Sequence, residues 1–224
     1  MIKNKKILIV AAHPDDEILG CGGTILKLKK TNKFKVVFLT NGVSSRSKNK
    51  NDISKRKKEC ELLFNFLKID KPSIFDFPDN QLDNIPLLKI VKKLEKIINS
   101  FKPDIVFTHY ENCLNIDHQI AYNATITACR PLKNNTVKKI LSFEILSSTE
   151  WGTSKKKVFQ PNYFISIDKE IKKKVAAMKF YKSELRKYPH SRSIKAIEAL
   201  ASFRGVSSGF KYAEGFMLIR ELKS

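Results

Sequence analysis

The chain has 224 residues, of which 42% are hydrophobic and 29% charged. That length suits one large domain or two small ones, and the composition excludes a fibrous, collagen-like or low-complexity chain. Lysine and arginine number 43 against 22 acidic residues, a formal net charge of +21. Such an excess suits a polyanionic partner, whether nucleic acid, an acidic membrane surface or an anionic substrate. It also follows from compositional drift. The excess is almost all lysine, in a chain also rich in Asn and Ile, as a codon bias toward A and T produces. Drift is the simpler reading, and nucleic acid is disfavoured. Cys21, Cys60, Cys113 and Cys129 form no CxxC pair. That excludes a zinc ribbon and a disulfide framework, and fits reduced thiols in the cytoplasm. No apolar run approaches the ~18 residues that span a bilayer. Met1 to Ala12 briefly mimics a signal peptide, but it runs into His13-Pro-Asp-Asp-Glu without a small-residue cleavage site.

Lys6 to Ala12 therefore reads as a first strand, buried on both faces. Asp16 to Lys30 follows as a helix with acidic residues in its first turn. Lys35 to Thr40 is a second strand, closed by Asn41-Gly42. Residues 42–52 are polar and basic and read as a mobile loop. Ile53 to Leu67 is helical, with Cys60, Leu63, Phe64 and Leu67 on one stripe. Ser73 to Phe77 is a third strand. Ile85 to Phe101 is an amphipathic helix stopped by Lys102-Pro103. Asp104 to Thr108 is a fourth strand, and Asp117 to Ala128 a helix ended by Arg130-Pro131. Beyond it, Ile140 to Leu146 and Tyr163 to Ile167 read as strands. Lys169 to Leu185 and Ser193 to Arg204 read as helices, and Phe216 to Arg220 as a last strand. Strands alternating with helices predict an α/β, Rossmann-like three-layer fold with a mainly parallel sheet. No linker interrupts it, so residues 1–224 read as a single domain with an elaborated C-terminal third.

In such sheets ligands bind beyond the carboxyl ends of the strands. The first strand ends in His13-Pro14-Asp15-Asp16-Glu17. The fourth ends in Thr108-His109-Tyr110, and its loop reaches Asn115-Ile116-Asp117-His118. Three of the four histidines thus gather at one edge. Two His and a carboxylate are a common catalytic zinc set. His13 and Asp16, three apart on a strand-to-helix turn, can point the same way, and His118 can join them. Asp15 is then left beside the metal, placed to take a proton from a water. The simpler alternative, that Asp15 or Asp16 is only a helix cap, leaves the histidine cluster unexplained.

Ala12-His13-Pro14-Asp15-Asp16-Glu17 with Asp117-His118 resembles the PIG-L and LmbE-like family of zinc-dependent N-deacetylases, over almost the whole chain. Gly20-Cys21-Gly22-Gly23-Thr24 extends the first motif, and Thr40-Asn41-Gly42 and Arg56 with Glu59 match later ones. Phe77-Pro78-Asp79-Asn80, Ser147 to Trp151 and Ser183-Glu184-Leu185-Arg186 resemble a branch associated with bacterial surface-glycan synthesis. The resemblance implies Zn2+ on His13, Asp16 and His118, with Asp15 as general base. It implies a small N-acetylated amino-sugar substrate, possibly anionic. Many members carry a His two positions before Asp117, whose carboxylate orients it; here Asn115 stands there. Asn115 can donate a hydrogen bond to an oxyanion but cannot deliver a proton. Either its role is reduced, or His109 substitutes. A zinc protein with lost or altered activity is the corresponding alternative.

Trp151, the only Trp, either stacks on a sugar or fills the core. Arg56 either clamps a hydroxyl or phosphate or is solvated. Tyr181, Arg186, His190 and Arg192 form a basic aromatic cluster suited to an anionic group or to a homo-oligomer interface. Gly205-Val206-Ser207-Ser208-Gly209 matches GxSxG, but a helix precedes it where a nucleophile elbow needs a strand. Gly20 to Gly23 lacks the third glycine of a dinucleotide fingerprint and follows acidic residues, so close helix packing explains it better.

Overall fold

A computed structural model of the chain describes residues 2–45, 49–152 and 158–223. β1 (Lys6–Ala11), α1 (Asp16–Leu28), β2 (Lys33–Thr40), α2 (Lys50–Leu67) and β3 (Ser73–Phe77) come first. α3 (Leu87–Phe101), β4 (Ile105–His109), α4 (Ile116–Ala128) and β5 (Lys139–Phe143) follow. β6 (Tyr163–Ser166), α5 (Ile171–Met178), α6 (Ile194–Val206) and β7 (Ala213–Glu221) complete the described elements. The strands form one sheet in the order β3-β2-β1-β4-β5-β7-β6. β1 to β5 run parallel, and β7 lies antiparallel between β5 and β6. The expected α/β architecture with a mainly parallel sheet is what the chain adopts.

β1 is central, and its continuous apolar run is what a strand covered on both faces requires. Ile7, Ile9 and Ala11 pack into the layer of α1, α2 and α5. Leu8, Val10 and Ala12 pack beneath α3 and α4.

Several predicted elements differ in extent; β5 ends at Phe143 rather than Leu146, and β7 begins at Ala213 rather than Phe216. α2 starts at Lys50 rather than Ile53, because Asn49 caps it by accepting the Asn51 N–H at 2.9 Å. The end of the predicted mobile loop is thus helix, and its residues 46–48 lie outside the described part. α3 starts only after Pro86, and Leu82–Asn84 form a separate 3-10 turn. α5 stops at Met178, seven residues short of the prediction. Beyond it the backbone bonds i to i+3, Phe180 N–H to Ala177 C=O and Tyr181 N–H to Met178 C=O, both at 3.1 Å. These tighter turns carry Tyr181 and Glu184 inward, where both are buried.

α1 is broken in its middle: Cys21 has φ −146°, ψ 24°. One buried ion pair serves both broken ends. The Lys174 ammonium donates to the Leu19 carbonyl at 2.9 Å. The Glu214 carboxylate, from β7, accepts the N–H groups of Gly23 and Thr24 at 2.8 and 2.7 Å. The two side chains meet at 2.6 Å. The cation faces a carbonyl end and the anion an amide end, the signs that the peptide dipoles favour. The glycines of this stretch are close-packing residues. A Cβ on Gly20 would lie 2.5 Å from Phe143, and one on Gly23 2.6 Å from Ile167.

Candidate metal centre and active site

β1, β2 and β4 end at one edge of the sheet, and the chain there builds the site. The turn after β1 brings the His13 N–H to Asp16 Oδ2 at 2.9 Å. Asp15 sits at φ 132°, a region costly for any residue with a side chain. Its N–H donates to Glu17 Oε2 at 3.0 Å, and its carbonyl accepts from Ile18 and Leu19. Glu17 is itself fixed by the Tyr181 hydroxyl, 2.8 Å away. Burial pushes the Glu17 carboxyl up to about 8, so it stores no exposed charge while bracing the strained residue.

α4 opens with Asn115 as its cap, accepting the Asp117 N–H at 2.8 Å. His118, two residues into the helix, then faces Asp16, Nε2 to Oδ1 at 3.5 Å. His13 Nδ1 lies 3.3 Å from Asp16 Oδ2. Donor atoms of the three residues lie within 4.8 Å of one another. Asp16 Oδ1 and His118 Nε2 are buried and have no hydrogen-bond partner among the described residues. Orphaned buried polar atoms are uncommon and costly, and a divalent cation between them would satisfy both. The donor set is that of catalytic zinc sites, so the residues fit the metal.

A second group, His13 with Asp79 and Asp117, also brings donor atoms together. Its carboxylates are already satisfied. Asp117 accepts the N–H groups of Asn80 and Leu82 at 2.8 and 3.0 Å. Asp79 accepts from the Thr40 hydroxyl at 3.3 Å and from the Ser45 N–H at 3.1 Å, and bonds the Ser45 hydroxyl. Both carboxylates lie within 3.3 Å of His13 Nε2, which orients the ring and leaves Nδ1 toward Asp16. This group therefore fixes the ring of His13, a candidate ligand of the first group.

Burial opposes charge on His13, but its bonds to Asp117 and Asp16 outweigh that and raise its pKa to about 10, so a metal held there would displace one ring proton on binding. Burial and the adjacent His109 push His118 well below its ordinary value. It is thus a neutral imidazole, the form that binds a metal. Burial also works against the Asp16 charge, yet the surrounding imidazoles hold its carboxyl well below the usual range. Behind His118, Nδ1 lies 3.1 Å from the Cys113 sulfur and 3.5 Å from the Ser148 hydroxyl. Partners of this kind fix the tautomer and orientation of a ligating histidine.

A cavity of about 180 Å³ adjoins these residues, lined by His13, Asp15, Asn80 and Asn115. Arg56, Glu184 and Arg192 line it as well. Burial pushes the Asp15 carboxyl up to about 7, against the pull of Arg192. Arg192 donates to Asp15 at 3.1 Å and to Glu184 at 2.8 Å. Arg56 is buried rather than solvated. It donates to the Pro14 carbonyl at 2.8 Å and the Ser183 hydroxyl at 3.0 Å, and pairs with Glu184.

Two sequence expectations need correction. His109 is not among the residues that line the cavity. It is fully buried, its ring stacked on His118 at 4.0 Å, and its Nε2 accepts the Ala12 N–H at 2.9 Å. It lies against the candidate ligands, its Nε2 3.4 Å from Asp16 Oδ2. The basic aromatic cluster forms only in part: the Arg186 N–H donates to the Arg192 carbonyl at 3.2 Å and the Arg192 N–H to His190 Nδ1 at 3.0 Å, but Tyr181 stands apart. Tyr181 turns inward to Glu17, Arg192 faces Asp15, and Arg186 bonds the Ser183 and Leu185 carbonyls. Trp151 is 47% exposed and meets the His190 ring edge-on, so it does not fill the core. Ser207 follows the last turn of α6, and no strand precedes it. The GxSxG match is therefore no nucleophile elbow.

Three site residues lay outside the sequence reading of the site. Asp79 and Glu184 sit in motifs that indicated only a branch. Cys113 lies five residues before His118, with no ligand-like spacing to single it out.

The chain matches the family model PIG-L, GlcNAc-PI de-N-acetylase, over residues 8–129. It is 30% identical over 188 residues to the uncharacterized deacetylase YaiS of Escherichia coli K12, covering 81% of this chain and 92% of that protein. It is 26% identical over 233 residues to diacetylchitobiose deacetylase of Thermococcus kodakarensis, covering 96% and 83%. The solved N,N'-diacetylchitobiose deacetylase of Pyrococcus horikoshii superposes with a TM-score of 0.77 at 24% identity, over 96% of this chain and 84% of that one. That likeness bears on the fold alone; the family match, spanning more than half of the sequence, means that this chain belongs to the PIG-L family of de-N-acetylases.

Proposed function

We propose that the chain is a zinc-dependent hydrolase that removes an N-acetyl group from an acetylated amino-sugar compound. His13, Asp16 and His118 would hold the zinc. The observation that carries this reading is the buried pair Asp16 Oδ1 and His118 Nε2, unpartnered 3.5 Å apart, beside His13 and Asp15, which line the cavity. The relatives named as deacetylases support the reaction class.

Bound zinc would polarise the acetyl carbonyl and acidify a water molecule. The chain's own groups do the rest. Asp15 is no ligand in this scheme. It takes the proton of the attacking water and returns it to the leaving amine. Arg192 holds one of its oxygens, Oδ2, which fixes the carboxylate for that transfer. Asp117 orients His13. Asn115 gives one amide hydrogen to Asn80 Oδ1 at 3.1 Å; its second can donate to the developing oxyanion. Arg56, which lines the cavity beside its partner Glu184, is the candidate contact for a substrate hydroxyl or phosphate, and Trp151 is the candidate sugar contact. We place the reaction in bacterial glycan or sugar-conjugate biosynthesis, in the cytoplasm, which suits four buried free thiols.

The test combines metal analysis with free-amine release from a panel of N-acetylated sugar nucleotides and glycosides. About one zinc per chain is expected, lost in His118→Ala. Failure to take up a divalent metal with all three ligands intact refutes the centre. Zinc uptake without amine release from any panel member favours an inactive zinc protein, the alternative that Asn115 raises.

A further inference from the structure

The exposed side of α2 carries a second stripe that the core does not use. Leu62 is 49% exposed and Phe66 37%, and Phe66 meets Phe180 with ring centroids 5.3 Å apart. Beside them, between α2 and the turns after α5, lies a cavity of about 510 Å³. Its floor is apolar, made by Leu62, Ala176 and Phe180. Its rim is four lysines, Lys55, Lys58, Lys179 and Lys182. Among the described residues, no carboxylate lies within ion-pair distance of Lys58, Lys179 or Lys182. Glu59, the one acid at the rim, is 3.4 Å from Arg56.

The same helical layer is crowded with further cations. Burial and the ammonium groups of Lys173, Lys68 and Lys30 push Lys29 below its ordinary value. Like charges held this close favour an anionic counterpart. The apolar floor narrows what that counterpart is. Lysine stems lie along apolar surface while their heads reach outward, and a basic face around exposed Leu and Phe is how proteins lie on anionic lipid. A nucleic acid needs stacking planes or base-edge donors. Here the exposed aromatic surface is one tilted Phe66–Phe180 pair whose outer edge is open, and Leu62 and Ala176 offer neither a stacking plane nor a donor.

We infer that the α2–α5 face docks on an anionic lipid bilayer, with Leu62 and Phe66 in the interface and the rim lysines on the headgroups. The position of the face gives docking a consequence. Lys55 and Glu59 also line a neighbouring cavity of about 210 Å³, which shares Arg56 and Glu184 with the catalytic cavity. The bound surface would thus lie next to the mouth of the active site. The inference does not depend on the reaction proposed above.

Vesicle sedimentation tests it, with phosphatidylcholine alone and with about one-third phosphatidylglycerol. The protein should sediment with the anionic vesicles, not with the neutral ones, and less so as salt rises. Lys58→Glu/Lys179→Glu/Lys182→Glu should lower the partition coefficient by ~10²-fold, about fivefold per lysine. Lys89→Glu/Lys92→Glu/Lys96→Glu, on α3 across the sheet, gives the same net charge and should leave binding nearly unchanged. Leu62→Ser/Phe66→Ser should weaken binding at low salt. Equal losses from the two lysine triples would reduce the effect to net charge and overturn the inference. So would absence of binding to the anionic vesicles. Oligonucleotide binding that the α2–α5 triple abolishes, without vesicle binding, would assign the face to nucleic acid instead.

Discussion

Replacing Glu214 by alanine tests the account of the broken α1 helix. The change strands the Lys174 ammonium, which is only 4% exposed, and orphans the N–H groups of Gly23 and Thr24. Removing one partner of a buried ion pair costs about 3–5 kcal/mol. Lys174→Met takes away only one of the three donors to the carboxylate, which keeps its two backbone partners. A charge-assisted hydrogen bond contributes about 1.5–3 kcal/mol, so this variant should lose less. The double variant should lose less than the sum, because the stranded ammonium is gone. Urea unfolding followed by circular dichroism reads all three. With native stabilities of about 5–15 kcal/mol, Glu214→Ala should fold with a lowered midpoint and an unchanged slope. A cost under ~1 kcal/mol for Glu214→Ala, or a larger cost for Lys174→Met, would refute the reasoning.

Asp15→Asn should retain zinc and lower kcat by ~10²-fold or more; loss of zinc instead would mean that Asp15 and Asp16 have exchanged roles. Asn115→Ala should cost about 1 kcal/mol in thermal unfolding through the lost cap and also slow turnover. Asn115→Asp, which keeps a cap acceptor, should slow turnover alone, and an unchanged rate in both variants would remove Asn115 from the chemistry. Cys113→Ala should weaken zinc about 10–100-fold in a chelator competition, with Cys113→Ser recovering part of the loss; equal affinities would show that the thiol does not hold His118. Gly205→Ala places a Cβ 2.7 Å from the Lys211 backbone and should destabilise by about 1–3 kcal/mol, readable as a lower Tm; an unshifted Tm would mean that the α6–β7 contact yields freely.

The parallel half of the sheet was readable because its strands are continuous apolar runs between helices with clear stops. The failure at α5 has a tertiary cause. The periodicity of Lys169 to Leu185 continues past Met178, but Tyr181 and Glu184 are drawn inward by Glu17 and by the two arginines. The grouping of His13, Asp16 and His118 was legible because these residues stand at the ends of two neighbouring strands. The cavity wall was not, since Arg192 meets Asp15 across 177 positions and no spacing rule spans that distance. His109 shows the other limit. Its place at a strand end suggested access to the site, but its side chain lies against the candidate ligands, outside the cavity lining, and sequence position does not say which way a strand's last residue faces.

The sheet has two open margins, and both are poor templates for another chain. β6 is only four residues long. β3 has five residues set between Pro72 and Pro78, neither of which can donate to a ladder. Asp76, on that outer strand, carries an exposed carboxylate 2.5 Å from Lys93. Short margins, prolines and edge charges are the devices that stop sheets from growing by addition of neighbouring molecules. The strands most prone to such growth, β1, β2 and β4, are all shielded inside. For a chain dense in Ile, Val and Phe at its centre these margins disfavour sheet-edge association, and replacing Pro72, which lies at the far end of β3 from Asp79, would weaken that device.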